Sequence, residues 1–386
     1  MSRVAVIKSG VTYKEIRKAV FEAVDRAGGL VERIKNGDRV LIKPNMVDIP
    51  PERLNGAVTR WEVSAAAAEY VRECGGRPFI ADSSSIGVST RSVFDFCGYD
   101  SLRKLGLEYL DLKEQVPVTI PAPGGKKIKE LQTWDKVAET DAVITVPVMK
   151  THDQLEVTLG VKNVKGVIRD EQKKFLHKVG VVEGVVDVFQ TVRPVFCITD
   201  ATVGQEGFGP VYGQPVPMGL IVASSDTVAC DAVSSAIMGL PADISPVTTE
   251  AALRNLGEIR LENIEIAGEN IESVKRRFIR FSECGYPEGI PEFQFIVGEN
   301  ACTGCRDTMY STLFQLKEFG TEQDIAGLNV VVGDISNLPE GCNKANTVLV
   351  GNCAGRHREK GEWVKGCPPN RVFIHQAFKK LKYGEE

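Results

Sequence analysis

The residues with the most evident capacity for chemistry are cysteines near the end of the chain. Five of the ten cysteines in 386 residues lie between Cys302 and Cys367: the pair Cys302-Thr-Gly-Cys305, then Cys342, Cys353 and Cys367. Each sits among turn-forming residues, as in Gly351-Asn-Cys353-Ala-Gly355 and Gly366-Cys367-Pro-Pro369. Glycines let backbone N–H groups point at sulfur, and a proline after cysteine stops a helix from burying the thiol. A Cys-x-x-Cys pair with distant single cysteines, one followed by Pro, fits thiolate ligation of an iron–sulfur cluster, 4Fe-4S before other types. Four-cysteine zinc is a rival, although such sites usually show two close pairs. A redox-active dithiol and a set of inert buried thiols are the others. The expected ligands are Cys302, Cys305, Cys353 and Cys367, with Cys342 set apart by its own loop.

A second constellation is rich in lysine. The apolar strand Asp141–Pro147 is followed by Met149-Lys150-Thr151-His152-Asp153, and then by Thr158-Leu-Gly160-Val-Lys162-Asn163-Val-Lys165-Gly166. Lysines, asparagine and hydroxyls around glycines suit a phosphate or carboxylate. Lys43, at the end of strand Arg39–Lys43, and Asn45 after it belong with this group, because parallel sheets place ligands at the carboxyl ends of their strands. Lys43, Asn45, Thr151, Lys162 and Asn163 are therefore the expected substrate-binding residues. His152 and Lys150 are expected to move protons, since imidazole titrates near neutrality. Glu206, in the glycine-rich run Gly204-Gln-Glu206-Gly-Phe-Gly209-Pro210, is the third catalytic candidate, held on a shaped loop. The bland alternatives are a solvated lysine at 43 and a loop-capping histidine at 152.

These residues need elements to hold them. Apolar Ile16, Ala19, Val20, Ala23 and Val24 recur at helical spacing before Gly28-Gly29. The helix they imply lies between strands at Val4–Ile7 and Arg39–Lys43, which predicts an α/β fold with a mostly parallel sheet and crossover helices. Residues 107–132 read as a hairpin excursion broken by Pro121 and Gly124-Gly125. The expected domains are an α/β domain over 1–270, a linker or covering segment over 271–291, and a smaller cysteine-rich α/β domain over 292–386. Charged residues make up 25% of the chain and the formal charge is −4, so neither nucleic acid nor an acidic membrane is an expected partner. With no membrane span and no signal-peptide core, the expected compartment is the cytoplasm, where cysteines are thiols or metal ligands. There is no G-x-G-x-x-G after the first strand and no phosphate-binding P-loop sequence.

Several of these segments together resemble the family known as domain of unknown function 362. They are Lys43-Pro-Asn-Met46, Pro147-Val-Met-Lys-Thr-His152, Thr158 to Gly166, Glu206-Gly-Phe-Gly-Pro210, and Asp226-Thr-Val-Ala-Cys-Asp231 with Met238-Gly239. Members are often described as iron–sulfur proteins, which the resemblance implies here too. The tail departs from members with a ferredoxin-like pair of cysteine runs, and this favours a single cluster. The resemblance supplies no reaction. The reading of the whole is an iron–sulfur enzyme, an oxidoreductase or a lyase, acting on a small anionic substrate. A redox partner protein and a homo-oligomer are compatible with it. A non-catalytic electron carrier or cluster-holding partner, and a structural zinc protein, are the alternatives.

Overall fold

The computed structural model describes residues 1–284, 293–299, 301 and 303–384. The chain folds as two units, Met1–Lys173 with Val182–Phe281, and Lys174–Val181 with Ser282–Glu386. Among the described residues no helix is long and apolar enough to cross a membrane.

The first unit is built on a ten-stranded sheet. Its strands are β1 (Ser2–Lys8), β2 (Arg39–Pro44), β3 (Arg77–Asp82), β4 (Tyr109–Asp111), β7 (Ala142–Val146), β8 (Val148–His152), β9 (Glu156–Thr158), β10 (Phe196–Glu206), β11 (Gln214–Ser224) and β12 (Ile264–Gly268), while β5 (Pro117–Pro121) and β6 (Glu130–Trp134) form a separate hairpin. The main row runs β12-β1-β11-β10-β7-β2-β3-β4. Only β11 in this row is antiparallel to its neighbours, so the sheet is mostly parallel. The first two strands are not adjacent: β1 pairs with β11 and β12, and β2 lies between β7 and β3.

Local signals explain the elements. Thr12 and Glu15 form a reciprocal capping box at the start of helix Tyr13–Arg26, whose buried face is Ile16, Ala19, Val20, Ala23 and Val24. Burial of alternate and consecutive Val, Ile and Ala in β2, β3 and β7 follows from a sheet covered on both faces. Asp226 caps the small-residue helix Thr227–Ile237, which is buried along its whole length. The segment after β12 returns over this unit. Arg276 N–H donates to Ile237 O at 2.9 Å and Phe278 N–H to Met238 O at 2.9 Å, with the Phe278 ring fully buried.

The second unit has a four-stranded parallel sheet in sequential order, β13 (Gln294–Val297), β14 (Asn329–Val332), β15 (Thr347–Val350) and β16 (Glu362–Val364). Helices Thr303–Glu318 and Arg371–Tyr383 cover it, burying Met309, Leu313, Leu316, Ile374 and Phe378 against Val330, Val332, Val348 and Val350. The segment Lys174–Val181, which falls inside the expected first domain, is grouped with this unit.

Removing the Phe378 ring leaves a cavity in this small core. Phe378→Ala should therefore cost about 3–5 kcal/mol. Urea unfolding followed by Trp363 fluorescence, with Trp61 and Trp134 replaced by Phe, measures it; a loss below ~1 kcal/mol would contradict this packing.

Candidate functional site

In the first unit, charged side chains gather at the carboxyl ends of β2, β3 and β7–β8. Lys43 is the penultimate residue of β2 and Asp82 ends β3; both are almost fully buried, and their Nζ and Oδ1 atoms are 2.7 Å apart. Lys43 Nζ also donates to Pro44 O at 2.8 Å and to Asn163 Oδ1 at 3.3 Å. Its three hydrogens thus all have acceptors. Asp82 accepts from Met46 N–H and Ser83 N–H at 2.8 and 2.7 Å. Burial pulls the Lys43 pKa down and the Asp82 pKa up, and each partner opposes the change. With two backbone donors on the carboxylate and three acceptors on the ammonium, the charged pair is the form that this geometry holds. Gly166 is required here, since a Cβ on it would collide with Asp82 Oδ1 and crowd Lys43 Nζ.

The turn Gly160–Asn163 is the second support. Its Gly160 and Val161 N–H groups donate to Asp231 Oδ1 and Oδ2 at 2.7 and 2.9 Å, and Thr248 Oγ1 donates to Oδ2 at 3.1 Å. Burial pushes the Asp231 pKa up to about 7 against these bonds. Asn163 then donates to Lys43 O and Thr145 Oγ1 at 2.9 and 3.0 Å, which locks the turn to the ends of β2 and β7.

Lys150 and His152 lie on β8, a strand and not the loop that their polar run suggests, because Lys150 and His152 pair across to Thr158 and Glu156 of β9. Lys150 is fully buried, and its Nζ donates to the backbone carbonyls of Ala57 and Pro210. Burial, followed by the charge of Lys162, holds its pKa well below the ordinary lysine value. Thr151 Oγ1 donates to Gly207 O at 3.1 Å. His152 Nδ1 faces the N–H groups of Gln154 and Leu155 at 3.0 and 3.3 Å. Burial, then Lys162, lowers its pKa to about 4, so the ring is uncharged at neutral pH. Asp153 Oδ1, 2.9 Å from Nδ1, is the group that would meet a protonated ring.

Lys162 is half-buried, and burial lowers its pKa to about 8, with Asp153 and Asp82 opposing and Lys43 adding to the effect. Among the described residues, no hydrogen bond or ion pair holds its ammonium. Burial and then Lys162 bring Lys165 down to about 7. The Asn45 amide oxygen and the Thr158 hydroxyl are buried without a hydrogen-bond partner among the described residues. Glu206 is the last residue of β10, on a strand and not on a loop, and its carboxylate accepts from Arg276 and from Ile279 N–H at 3.1 and 2.9 Å. It ties down the covering segment.

In the second unit, the cysteine-bearing loops leave the carboxyl ends of parallel strands. Cys305 is in the first turn of the helix after β13, Cys353 follows β15 and Cys367 follows β16. Cys302 lies outside the described residues. Gly351, at φ +96°, leaves room for the Cys305 thiol: a Cβ there would stand 2.6 Å from Sγ. Asn352 joins the other two loops, its N–H donating to Gly366 O at 2.8 Å and its Oδ1 accepting from Gly366 N–H at 3.1 Å. Cys305 is buried, while Cys353 and Cys367 are exposed. None of the nine described cysteines is in a disulfide. Among the described residues, no three Cys, His, Asp or Glu side chains are set around one metal position. Cys342 lies on the connection entering β15, where Asn343 N–H donates to Thr347 Oγ1, and so stands at the opposite end of the sheet. His177, which shows no signal in sequence, takes Cys367 N–H on its carbonyl at 3.0 Å.

Two outcomes follow from this geometry. Asp82→Asn should destabilise the first unit by about 3–5 kcal/mol, because it leaves Lys43 buried without its counter-charge. Lys43→Met with Asp82→Leu should recover most of that loss in chemical denaturation. In metal-free protein, a short bifunctional thiol reagent should join Cys353 to Cys367, and Asn352→Ala should lower the yield several-fold. An unchanged yield would show that Asn352 does not hold the loops together.

The family model described as domain of unknown function (DUF362) matches residues 40–236, which include the whole lysine site. The thylakoid-associated protein sll1697 of Synechocystis sp. is 35% identical over 245 residues, covering 60% of this chain and 71% of that protein. Two solved structures are similar at 10% identity. One is the lactate racemase apoprotein of Thermoanaerobacterium thermosaccharolyticum, with a TM-score of 0.43 over 99% of this chain and 81% of that one. The other is a Thermotoga maritima protein, with a TM-score of 0.36 over 87% of this chain and 74% of that one. With just over half of its length matched by the family model, the chain belongs to the DUF362 family.

Proposed function

We propose that this protein is an iron–sulfur enzyme that binds a small anion, a carboxylate or a phosphate, in the lysine site of its first unit. The observation that carries the reading is the surplus of lysine at one sheet edge. Lys43 is neutralised by Asp82, whereas among the described residues no acceptor is held against Lys162. An anion would supply the missing charge and raise the depressed lysine pKa values. Lys162 meets the anion, the His152 ring is uncharged at neutral pH, and Lys150 is fixed by two carbonyls as a base of lowered pKa. Lys43 and Asn163 hold the turn that presents Lys162.

The donor set of the second unit fits a cluster in two respects: Cys305, Cys353 and Cys367 each follow a strand at one sheet edge, and Gly351 clears the space beside Cys305. Cys302, Cys305, Cys353 and Cys367 would hold it. When bound, a cluster supplies one-electron transfer or, with one iron open, Lewis acidity. The exposure of Cys353 and Cys367 favours a second reading, a carrier that exchanges electrons with a partner protein. A cytoplasmic location is part of the proposal.

Anaerobically purified protein should contain iron and acid-labile sulfide in similar amounts. Cys353→Ala or Cys367→Ala should abolish both, and Cys74→Ala should not. Zinc without sulfide overturns the cluster. Oxalate should raise the melting temperature of the wild type and not of Lys162→Ala, and its affinity should fall as pH rises through about 8, where Lys162 loses its proton. Binding that is indifferent to both changes overturns the anion site. Loss of electron transfer in Lys162→Ala would speak against a carrier.

A further inference from the structure

The lysines around the site differ in how the protein holds them. Lys43 has three acceptors, Lys150 two carbonyls, and Lys173 the carbonyls of Ser83 and Ser84 with Ser83 Oγ and Asp170. Lys113 is held by Ser85 O, Val88 O and Asp170. Lys162 is the contrast: among the described residues no carbonyl or carboxylate is bonded to it, and it is half-buried where the others are mostly enclosed. A cation needed only for charge balance would be expected to find such acceptors, as its neighbours have. A lysine kept without them, beside further positive charge, is arranged to present an amine.

We propose that the ligand carries a carbonyl beside its anionic group, and that Lys162 condenses with it to form an imine, which makes small 2-oxo acids the substrate class. Lys162 Nζ bonds to the carbonyl carbon and the carbon–oxygen double bond breaks. The oxygen leaves as water with the two amine hydrogens. No electrons change hands, so no further reactant is needed. Burial and the charge of Lys43 favour the neutral amine, while Asp153 and Asp82 oppose them, so that about a tenth of it is free at pH 7. With a pKa of about 8 in place of 10.5, the free-amine fraction at pH 7 is roughly 300-fold above that of an ordinary lysine. Lys165 and the remaining positive charge of the cluster meet the carboxylate.

The inference rests on the reading of this edge as an anion site, and one experiment separates the two. The full chain is incubated with pyruvate and sodium cyanoborohydride, and the adduct is located by intact mass and peptide mapping. The expected result is one reduced pyruvyl group on Lys162, formed at least ~10-fold faster than on any surface lysine. Lys162→Arg, which keeps the charge, should bind oxalate and form no adduct, and oxalate should slow adduct formation on the wild type. Stabilisation by oxalate without an adduct on Lys162 overturns the imine and leaves the anion site standing. An absence of both overturns the two together, and equal labelling of the Lys162→Arg protein also overturns the proposal.

Discussion

Burying ammonium groups is costly, and the first unit is arranged around where those costs are met and where they are not. Lys43 is matched by Asp82, by a carbonyl and by Asn163, all drawn from strand ends or the turn that packs on them. The same bonds fix the turn Gly160–Asn163, whose other end is held by Asp231. A break in the pair would therefore loosen the support of Lys162 as well as the sheet edge. The stability of this region and the placement of its unmatched lysine come from the same contacts.

The parallel sheets give both units their functional edge. Strands that run the same way deliver every following loop to one side, so residues far apart in sequence meet there without a special device. In the first unit this gathers Lys43, Asp82 and the β7–β8 segment. In the second it sends the loops of Cys305, Cys353 and Cys367 to one edge and leaves Cys342 at the other. Asn352 shows the local cost of such an arrangement: an exposed side chain spends its oxygen on a neighbouring loop.

Much of this was legible in the sequence because it depends on short-range patterns. The helix at Tyr13–Arg26, the β5–β6 hairpin and the α/β alternation follow from periodicity and turn residues. The lysine and cysteine groups stood out by composition. What sequence could not supply was the partner of each polar group. Nothing near Lys150 in the chain announces the carbonyls of Ala57 and Pro210, and nothing near Lys43 announces Asp82 as its ion-pair partner. Glu206 looked like a loop acid, yet it closes a strand and binds Arg276 and Ile279 N–H. His152 drew attention through the ordinary pKa of imidazole, whereas burial lowers its pKa to about 4. Asp231 shows the same limit, since its role as the pin of a turn depends on backbone groups about seventy residues away.

The account depends on Lys162 being a lysine that the protein leaves unmatched. An NMR titration of chain labelled at the lysine ε-carbon, with the resonance assigned by its loss in Lys162→Arg, tests this directly. A midpoint near 8 in the free protein, moving up toward the ordinary lysine value when oxalate is added, is the predicted result. A midpoint already at the ordinary value, and unmoved by oxalate, would contradict the account.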